Sequence, residues 1–548
     1  MGAPADGRET EWRAATPETA MYPRETAWLG VDRDRAERCQ AYGPSPDCCP
    51  MRRLLGSLCA AGLSLTTGVA AQSASTYLPI DHWAMPYVEH LIRASVIPDP
   101  DPLTRPLKLG SVVAELQGAD TTRLPSAVRA TIRQLLHELT PRGAPPYYRA
   151  DLYVGASAGS QGRGDQLHLS GASYGAYQAG MRLSAVFGPV AISSHPYTDR
   201  YLKVDPDYTG DKSKNPPGRF TDAYISLQQR YGELFVGALR RNWGPTGIAG
   251  LLTSSYPYSY DHLMARVGTR SLRVEVLTTQ LDDMTDTTGT TFKRYWTSTR
   301  VIVRPWKWLT ASIDNAALWY GPNRGFELRF LNPLTLAFIT SVDDSLPDRQ
   351  NTAMAGELRV ALPRGVVLQG SFLLDACCDL LPDRLGATGV ADVPLGAGTA
   401  ARAWVTAVTA FAYRAPEGLQ NSIMLRGVGL GRNFADYVEA GLTVSTMPVP
   451  MLTLAPQLVL LEQGEGDFRV PPPPEPVRGP LFFQGVIERT WRLGVLGQAQ
   501  LGRRLDVAVN AGWNLIANSG HQPGVSRARF AGTASVQFQF GGPVHLPD

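Results

Sequence analysis

The 548-residue chain has few cysteines, almost no net charge and no long apolar run. Of its six cysteines, Cys39, Cys48, Cys49 and Cys59 stand ahead of residue 72, which leaves the adjacent pair Cys377 and Cys378. Neighbouring cysteines bridge each other only with strain, and two thiols make no zinc site, so neither disulfides nor metal are expected to hold this fold. Setting aside the eight basic and nine acidic residues before Gln72 leaves 44 Lys and Arg against 40 Asp and Glu, a net +4. That balance is too small to argue for a nucleic-acid partner. The eight histidines are scattered from His82 to His545 without ligand spacing, so no metal or other cofactor is expected. No run is apolar for the roughly 18 residues that a membrane-crossing helix needs.

What the chain does have begins with an export signal. Met51-Arg52-Arg53 supplies a basic start, Leu58, Leu63 and Leu65 lie in a short apolar run, and Val69-Ala70-Ala71 offers small residues for cleavage before Gln72. Residues 1–50 carry Arg, Asp, Glu and Pro but no apolar period. They read as an over-extended start with Met51 as initiator; the alternative is a cytoplasmic N-terminal tail.

From about Tyr147 to Phe540 the chain alternates polar and apolar residues with period two. Leu272, Val274 and Val276 alternate with Arg273 and Glu275, and Ala534, Val536, Phe538 and Phe540 with Ser535, Gln537 and Gln539. An exported chain whose strands are apolar on one face and wet on the other fits an outer-membrane β-barrel, because lipid demands that every backbone polar group be paired internally. Short turns are expected near Gly188-Pro189, Tyr231-Gly232, Gly268-Thr269, Pro305, Pro363-Arg364-Gly365, Pro416-Glu417-Gly418, Pro448-Val449-Pro450 and Gly502-Arg503. Such turns, with a first and last strand entering from the same side, give a barrel of about 18 strands. Longer polar stretches at residues 197–219, 279–293, 375–398 and 462–479 suit outer loops, the last holding a stiff Pro471–Pro474 segment.

Residues 76–142 read differently. Tyr87, Val88, Leu91 and Ile92, then Val112, Val113 and Leu116, then Val128, Ile132, Leu135, Leu136 and Leu139 form apolar stripes at helical spacing. The whole division is therefore a non-native extension (1–50), a signal peptide (51–71), a periplasmic helical domain (72–146), the barrel (147–541) and a tail (542–548). Asp81 to Leu116 resembles a single S-layer-homology repeat, with His82-Trp83-Ala84 at its start and Pro102-Leu103-Thr104-Arg105-Pro106 before a second helix. That resemblance implies binding to a cell-wall polymer; a structural plug or cap is the alternative.

Several strings invite chemistry. Gly171-Ala172-Ser173-Tyr174-Gly175 matches a nucleophile elbow, but that pattern needs a strand-to-helix turn and is expected to lie within a barrel strand. No enzyme activity is expected. Gly427, Gly429 and Gly431 are expected to make room beside a neighbouring strand or plug, and Arg163-Gly164-Asp165 reads as a loop tip. Trp306 and Trp308 flank a short turn and suit an interfacial girdle. Trp319, Tyr320 and Arg324, at the start of a long loop, are candidates for stacking on and bonding to a polysaccharide.

The most specific string is Arg241-Asn242-Trp243-Gly244-Pro245. Trp, Gly and Pro together make a rigid bend, and Arg240 and Arg241 add positive charge. The bend serves either to anchor a loop folded into the lumen or to offer donors to an acidic sugar. With Glu327-Leu328-Arg329-Phe330-Leu331-Asn332-Pro333, it makes the chain resemble the Wzi family of capsule-assembly proteins. That resemblance implies an 18-stranded outer-membrane barrel with a periplasmic helical domain, acting as a lectin that holds or organises capsular polysaccharide. Arg241–Pro245, Asn332 and Pro333 are carried over as family positions without assigned sugar contacts. Cys377-Cys378 and the Pro471–Pro474 loop depart from the family picture. The expected partners are capsular or extracellular polysaccharide and outer-membrane lipid, with weak contacts summed along a repeating polymer. The alternative function is a porin-like channel tethered to the wall by the helical domain.

Overall fold

The computed structural model describes residues 74–141, 146–255, 258–286, 288–335, 350–375, 384–396, 398–414, 424–470 and 479–544. The N-terminal extension, the export signal, Cys377-Cys378 and Pro471–Pro474 lie outside them. Eighteen long antiparallel strands close into a barrel. They are β1 (Tyr147–Gly159), β2 (Tyr174–Phe187), β3 (Val190–Asp199), β4 (Gly218–Gln229), β5 (Gly232–Leu239) and β6 (Tyr260–Gly268). Next come β7 (Leu272–Gln280), β8 (Thr291–Trp306), β9 (Leu309–Gly321), β10 (Gln350–Ala361), β11 (Val367–Asp375) and β12 (Leu385–Gly396). The last are β13 (Thr399–Val408), β14 (Tyr437–Val449), β15 (Leu452–Gln463), β16 (Glu488–Leu501), β17 (Leu505–Ala517) and β18 (Ser526–Val544). β18 pairs with β1 from Thr533↔Gly159 to Val544↔Tyr148, so no strand edge is left open. That last strand runs three residues past the sequence-based barrel end at 541.

The alternation sets which face is which. Leu152 and Val236 are 52% and 55% exposed, while their neighbours Asp151, Tyr153 and Phe235 are buried. Apolar side chains outside and polar ones inside is the pattern that lipid selects. Among the described residues no helix is long and apolar enough to cross a membrane. Trp306 and Trp308 stand exposed and stacked, ring centroids 5.2 Å apart, at a short turn, where an interfacial girdle is expected.

Two expected connections moved. The turn after Pro305 falls at residues 307–308, because β8 carries on through Trp306. Residues 375–398 are not one loop: β12 occupies Leu385–Gly396, and β13 starts close behind it at Thr399. The β12 sequence, rich in Gly and Ala and carrying Pro394, has little polar/apolar contrast, and the register shifts between Pro394 and Gly396. The turn expected at 416–418 lies outside the described residues; β13 ends at Val408 and β14 starts at Tyr437.

Helices α1 (Met85–Arg93), α2 (Leu109–Gln117) and α3 (Ser126–Leu139) form a bundle at the short-turn end, the periplasmic end in barrels of this kind. Their stripes meet as predicted: Val88, Leu91, Val112, Leu116, Val128, Ile132 and Leu135 share one core, and Met447 and Met451 of the barrel complete it. Polar ties follow the rim from turn to turn. The Tyr87 hydroxyl donates to Met451 O (3.0 Å), Thr131 Oγ1 accepts from Met451 N (2.9 Å), Ser95 Oγ donates to Gly365 O (3.0 Å) and Ala74 N to Gly188 O (2.8 Å).

His90 lies wholly buried in this joint, Nε2 against Gly398 O and Nδ1 against Ser445 Oγ, both at 3.1 Å. The carbonyl partner fixes a proton on Nε2. Burial, and then the charge of Arg93, pushes the imidazole down to about 4. The free imidazole has a pKa of about 6.5. The His90 contribution to docking is therefore complete above that value and is lost as pH falls toward 4. Limited proteolysis between pH 7 and 4 should cut the helical domain progressively faster, and His90→Asn should flatten the profile. A wild-type profile that is already flat would remove His90 from the joint's energetics.

Candidate functional site

The long-loop segment between β5 and β6 does not stand out from the rim. Leu239 pairs with Tyr260, so a short turn would join the two strands, yet the intervening residues fold inward across the lumen. Asn242 and Trp243 pair antiparallel with Arg105 and Thr104 of the helical domain, and Gly244 N donates to Leu103 O at 3.0 Å. A loop from one end of the barrel thus meets a segment from the other.

The Arg241–Pro245 string makes that meeting. The Arg241 guanidinium lies 4.4 Å from the Phe235 ring centroid and 5.2 Å from that of Tyr77, and Nε donates to His262 Nε2 at 2.7 Å. Asn242 clamps the bend from both sides: its Nδ2 donates to Ile248 O (3.0 Å) and its Oδ1 accepts from Gly250 N (2.8 Å). Trp243 is 1% exposed, with the Arg300 guanidinium 5.3 Å from its ring centroid. Gly244 has φ +133°, a region closed to ordinary side chains, and Pro245 continues the bend. Beyond it, Thr246 reaches the far wall, where its N–H donates to Gln369 Oε1 (3.1 Å) and its carbonyl accepts from Arg402 Nη1 (2.6 Å). Leu251 and Leu252 then join Trp243, Trp296, Leu318, Tyr413 and Phe468 in an apolar core inside the barrel. Of the two uses foreseen for the bend, anchoring an inward loop is the one this geometry serves.

The other half of this contact comes from the helical domain. Arg105 is held by Glu89 (2.5 Å) and Asp99 (3.1 Å). Burial disfavours its charge, but Asp99 and then Glu89 outweigh burial and raise the guanidinium above its ordinary range. Asp101 accepts from Arg273 Nη2 at 2.5 Å, and Arg300 Nη1 donates to Leu103 O at 3.1 Å. Tyr77 donates to Glu233 at 2.6 Å. Asp99, Asp101 and Arg105, from the stretch that resembles an S-layer repeat, are thus engaged inside the protein.

Two further loops fold inward. In residues 160–173, Arg163 bridges Asp207 (3.0 Å), Asn514 Nδ2 donates to Gln166 O (2.7 Å), and His168 stacks on Phe434 with ring centroids 3.6 Å apart. Burial opposes the Asp165 charge, yet His168 and two backbone N–H groups hold its carboxyl far below the usual range. Arg163-Gly164-Asp165 is therefore part of a tucked loop, not a projecting tip. In residues 409–414 and 424–436, the Tyr413 hydroxyl donates to Leu251 O, and Ser254 N donates to Leu430 O (2.7 Å). A Cβ on Gly431 would sit 2.2 Å from Leu251 O, so this one glycine of the run makes room for the inward loop, whereas Gly427 has open space beside it and Gly429 meets Arg432 O of its own loop. Gly427 to Gly431 lie in this loop and not along a barrel strand.

The remaining site residues fall elsewhere. Trp319 is fully buried between Tyr295 (5.6 Å) and Phe330 (4.3 Å), and Tyr320 turns into the lumen core. Neither ring offers a face to a sugar, which corrects the stacking expected of them. Arg324 bonds Glu327 at 2.6 Å, and Glu327 also holds Arg329 at 2.5 Å. Asn332 Oδ1 accepts from Leu334 N at 3.1 Å, ahead of an exposed Pro333. The second string thus shapes a loop on the opposite face of the wall from Trp243. Ser173 lies exposed in a loop, and β2 starts at Tyr174, so no strand-to-helix elbow forms there.

No family model and no curated protein matches this chain. Among solved structures, the chain superposes on Wzi, an outer-membrane protein involved in group 1 capsule assembly in Escherichia coli and described as a carbohydrate-binding β-barrel. The match has a TM-score of 0.58 at 11% identity and covers 83% of this chain and 97% of that one. This chain has the Wzi fold. OprD of Pseudomonas aeruginosa (TM-score 0.41, 11% identity, 72% of this chain and 95% of that one) and an OccD1 variant (0.42, 9%, 72% and 95%) match less well. The Wzi-type barrel of 18 strands implied by the two sequence strings is the one observed.

Proposed function

We propose that this protein is a closed outer-membrane barrel that binds capsular or other extracellular polysaccharide and holds it at the cell surface. The observation that carries this reading is the Asn242-Trp243 to Thr104-Arg105 pairing, which lies across the lumen. A channel for small solutes needs a continuous aqueous path, and this pairing narrows the lumen from within. The carbohydrate binding described for Wzi, on the same fold, supports a surface glycan as ligand. The role is attachment and not catalysis, with export through the 51–71 signal. The helical domain acts in this reading as a periplasmic cap.

Deleting the gene tests the reading. Surface-retained polysaccharide should drop severalfold while the shed fraction rises by the same amount, and Trp243→Ala should reproduce part of the loss. Unchanged retention in the deletion strain would end the proposal.

A further inference from the structure

The lumen is not filled evenly. Along β7 to β13 the inward side chains are charged, buried and cross-braced: Glu275, Arg300 and Asp314 are fully buried, and Arg402 bridges Asp392 at 2.7 Å. Along β14 to β18 and on round to β2, the barrel encloses a hollow. Its wall presents the hydroxyls and amides of Ser157, Gln178, Thr443, Gln498, Asn510 and Thr533, interspersed with small apolar residues such as Ala455 and Ala508. Leu496 also points inward, opposite Asn510, and is 38% exposed. Tyr174 and Tyr201, ring centroids 4.6 Å apart, bound the hollow toward the long loops; Pro86, His90 and Arg93 of α1 form its floor. The Asp199 carboxylate, also in the lining, is committed to Tyr201 N (2.8 Å) and the Tyr197 hydroxyl (3.0 Å).

We infer that this hollow is a binding site for a short, uncharged, polyhydroxylated segment, that is, a neutral saccharide. The inference rests on the polysaccharide reading above and adds a location and a charge class. A roomy cavity lined by hydrogen-bonding groups holds water, and a ligand with many hydroxyls can take over those bonds. Its C–H faces would lie on Leu496 and the two tyrosine rings. An apolar ligand would leave the hydroxyls and amides unpaired. A polyanionic one would give up its hydration for a wall without a cation, Arg93 at the floor being the one guanidinium in the lining.

Calorimetric titration of the full-length protein in detergent tests this with maltotriose and trigalacturonate. Maltotriose should bind at least tenfold more tightly than the uronate. Ser535→Phe on β18 and Ala508→Phe on β17, opposite one another and lining the hollow, should each weaken maltotriose at least tenfold, and Ser535→Ala less than twofold. Heat-modifiable gel mobility checks that each variant folds. No maltotriose binding, tighter uronate binding, or a folded Phe variant that binds as wild type would each overturn the site. The two readings fail separately. Normal retention in the deletion strain with intact maltotriose selectivity removes the retention role alone, whereas lost retention with unaffected Phe variants removes the hollow alone.

Discussion

Replacing residues 240–259 with a four-residue turn should leave the barrel folded and make it conduct. Leu239 already lies opposite Tyr260, so the new turn needs no change in strand register. What it removes is the inward loop, with Trp243, Leu251 and Leu252 all at or below 2% exposure. Burying each such side chain is worth about 1.5–3 kcal/mol, so the loop contributes heavily to lumen packing while adding nothing to hairpin closure. Its loss also strips Thr104-Arg105 of its pairing partner. In planar bilayers the intact protein should be silent and the variant should give stepwise ion currents; protease should also reach the helical domain sooner. A variant that folds, by heat-modifiable mobility, yet stays silent would assign the closure to the loop at 160–173, to residues 409–414 and 424–436, and to the helical cap instead.

Arg300→Met should cost about 3–5 kcal/mol, the range for removing one member of a buried ion cluster. Arg300 is fully buried, with Nε 3.1 Å from Asp314 Oδ1 and Nη2 on Glu357 Oε2, and it also donates to Leu103 O and Thr104 Oγ1. Methionine fills similar space but leaves two carboxylates facing each other without a counter-ion. The urea midpoint for loss of heat-modifiable mobility should fall accordingly. Most of the loss should return when Asp314→Asn and Glu357→Gln are added, because the penalty is uncompensated charge and not lost volume. The exposed pair Arg489–Glu462 serves as the control, with Arg489 53% exposed. Arg489→Met should change stability by about 0–1 kcal/mol. Equal effects at both sites would mean that the lumen is far more hydrated than its burial implies.

The strands were legible because lipid acts on each of them separately. Leu272 through Val276 and Ala534 through Phe540 show their faces in five to seven residues, with no need of partners. β12 was missed because Gly, Ala and Pro394 blur that contrast. The inward loop at the Trp243 bend was foreseen as one of two uses, whereas its apolar packing and the other two inward loops were missed, although a signal was present. Leu251 and Leu252, and Phe411 with Tyr413, are apolar residues in stretches that an exposed loop would keep polar. Trp319 and Tyr320 were read as exposed because a long loop follows them, whereas Phe330 and the lumen core take up their rings.

By itself, the sequence determined the barrel, its approximate strand number, the lipid face of each clear strand and the three helices of the cap. All of these follow from periods of 2 and 3.6 residues, which are local. Only the tertiary structure decided that a loop and the helical domain meet inside the lumen, and on which side the lumen is hollow. Those facts depend on Trp243 meeting Thr104 and on Leu251 meeting Tyr413. Contacts between residues so far apart in the chain exist only once the wall has brought them together, and no periodicity records them.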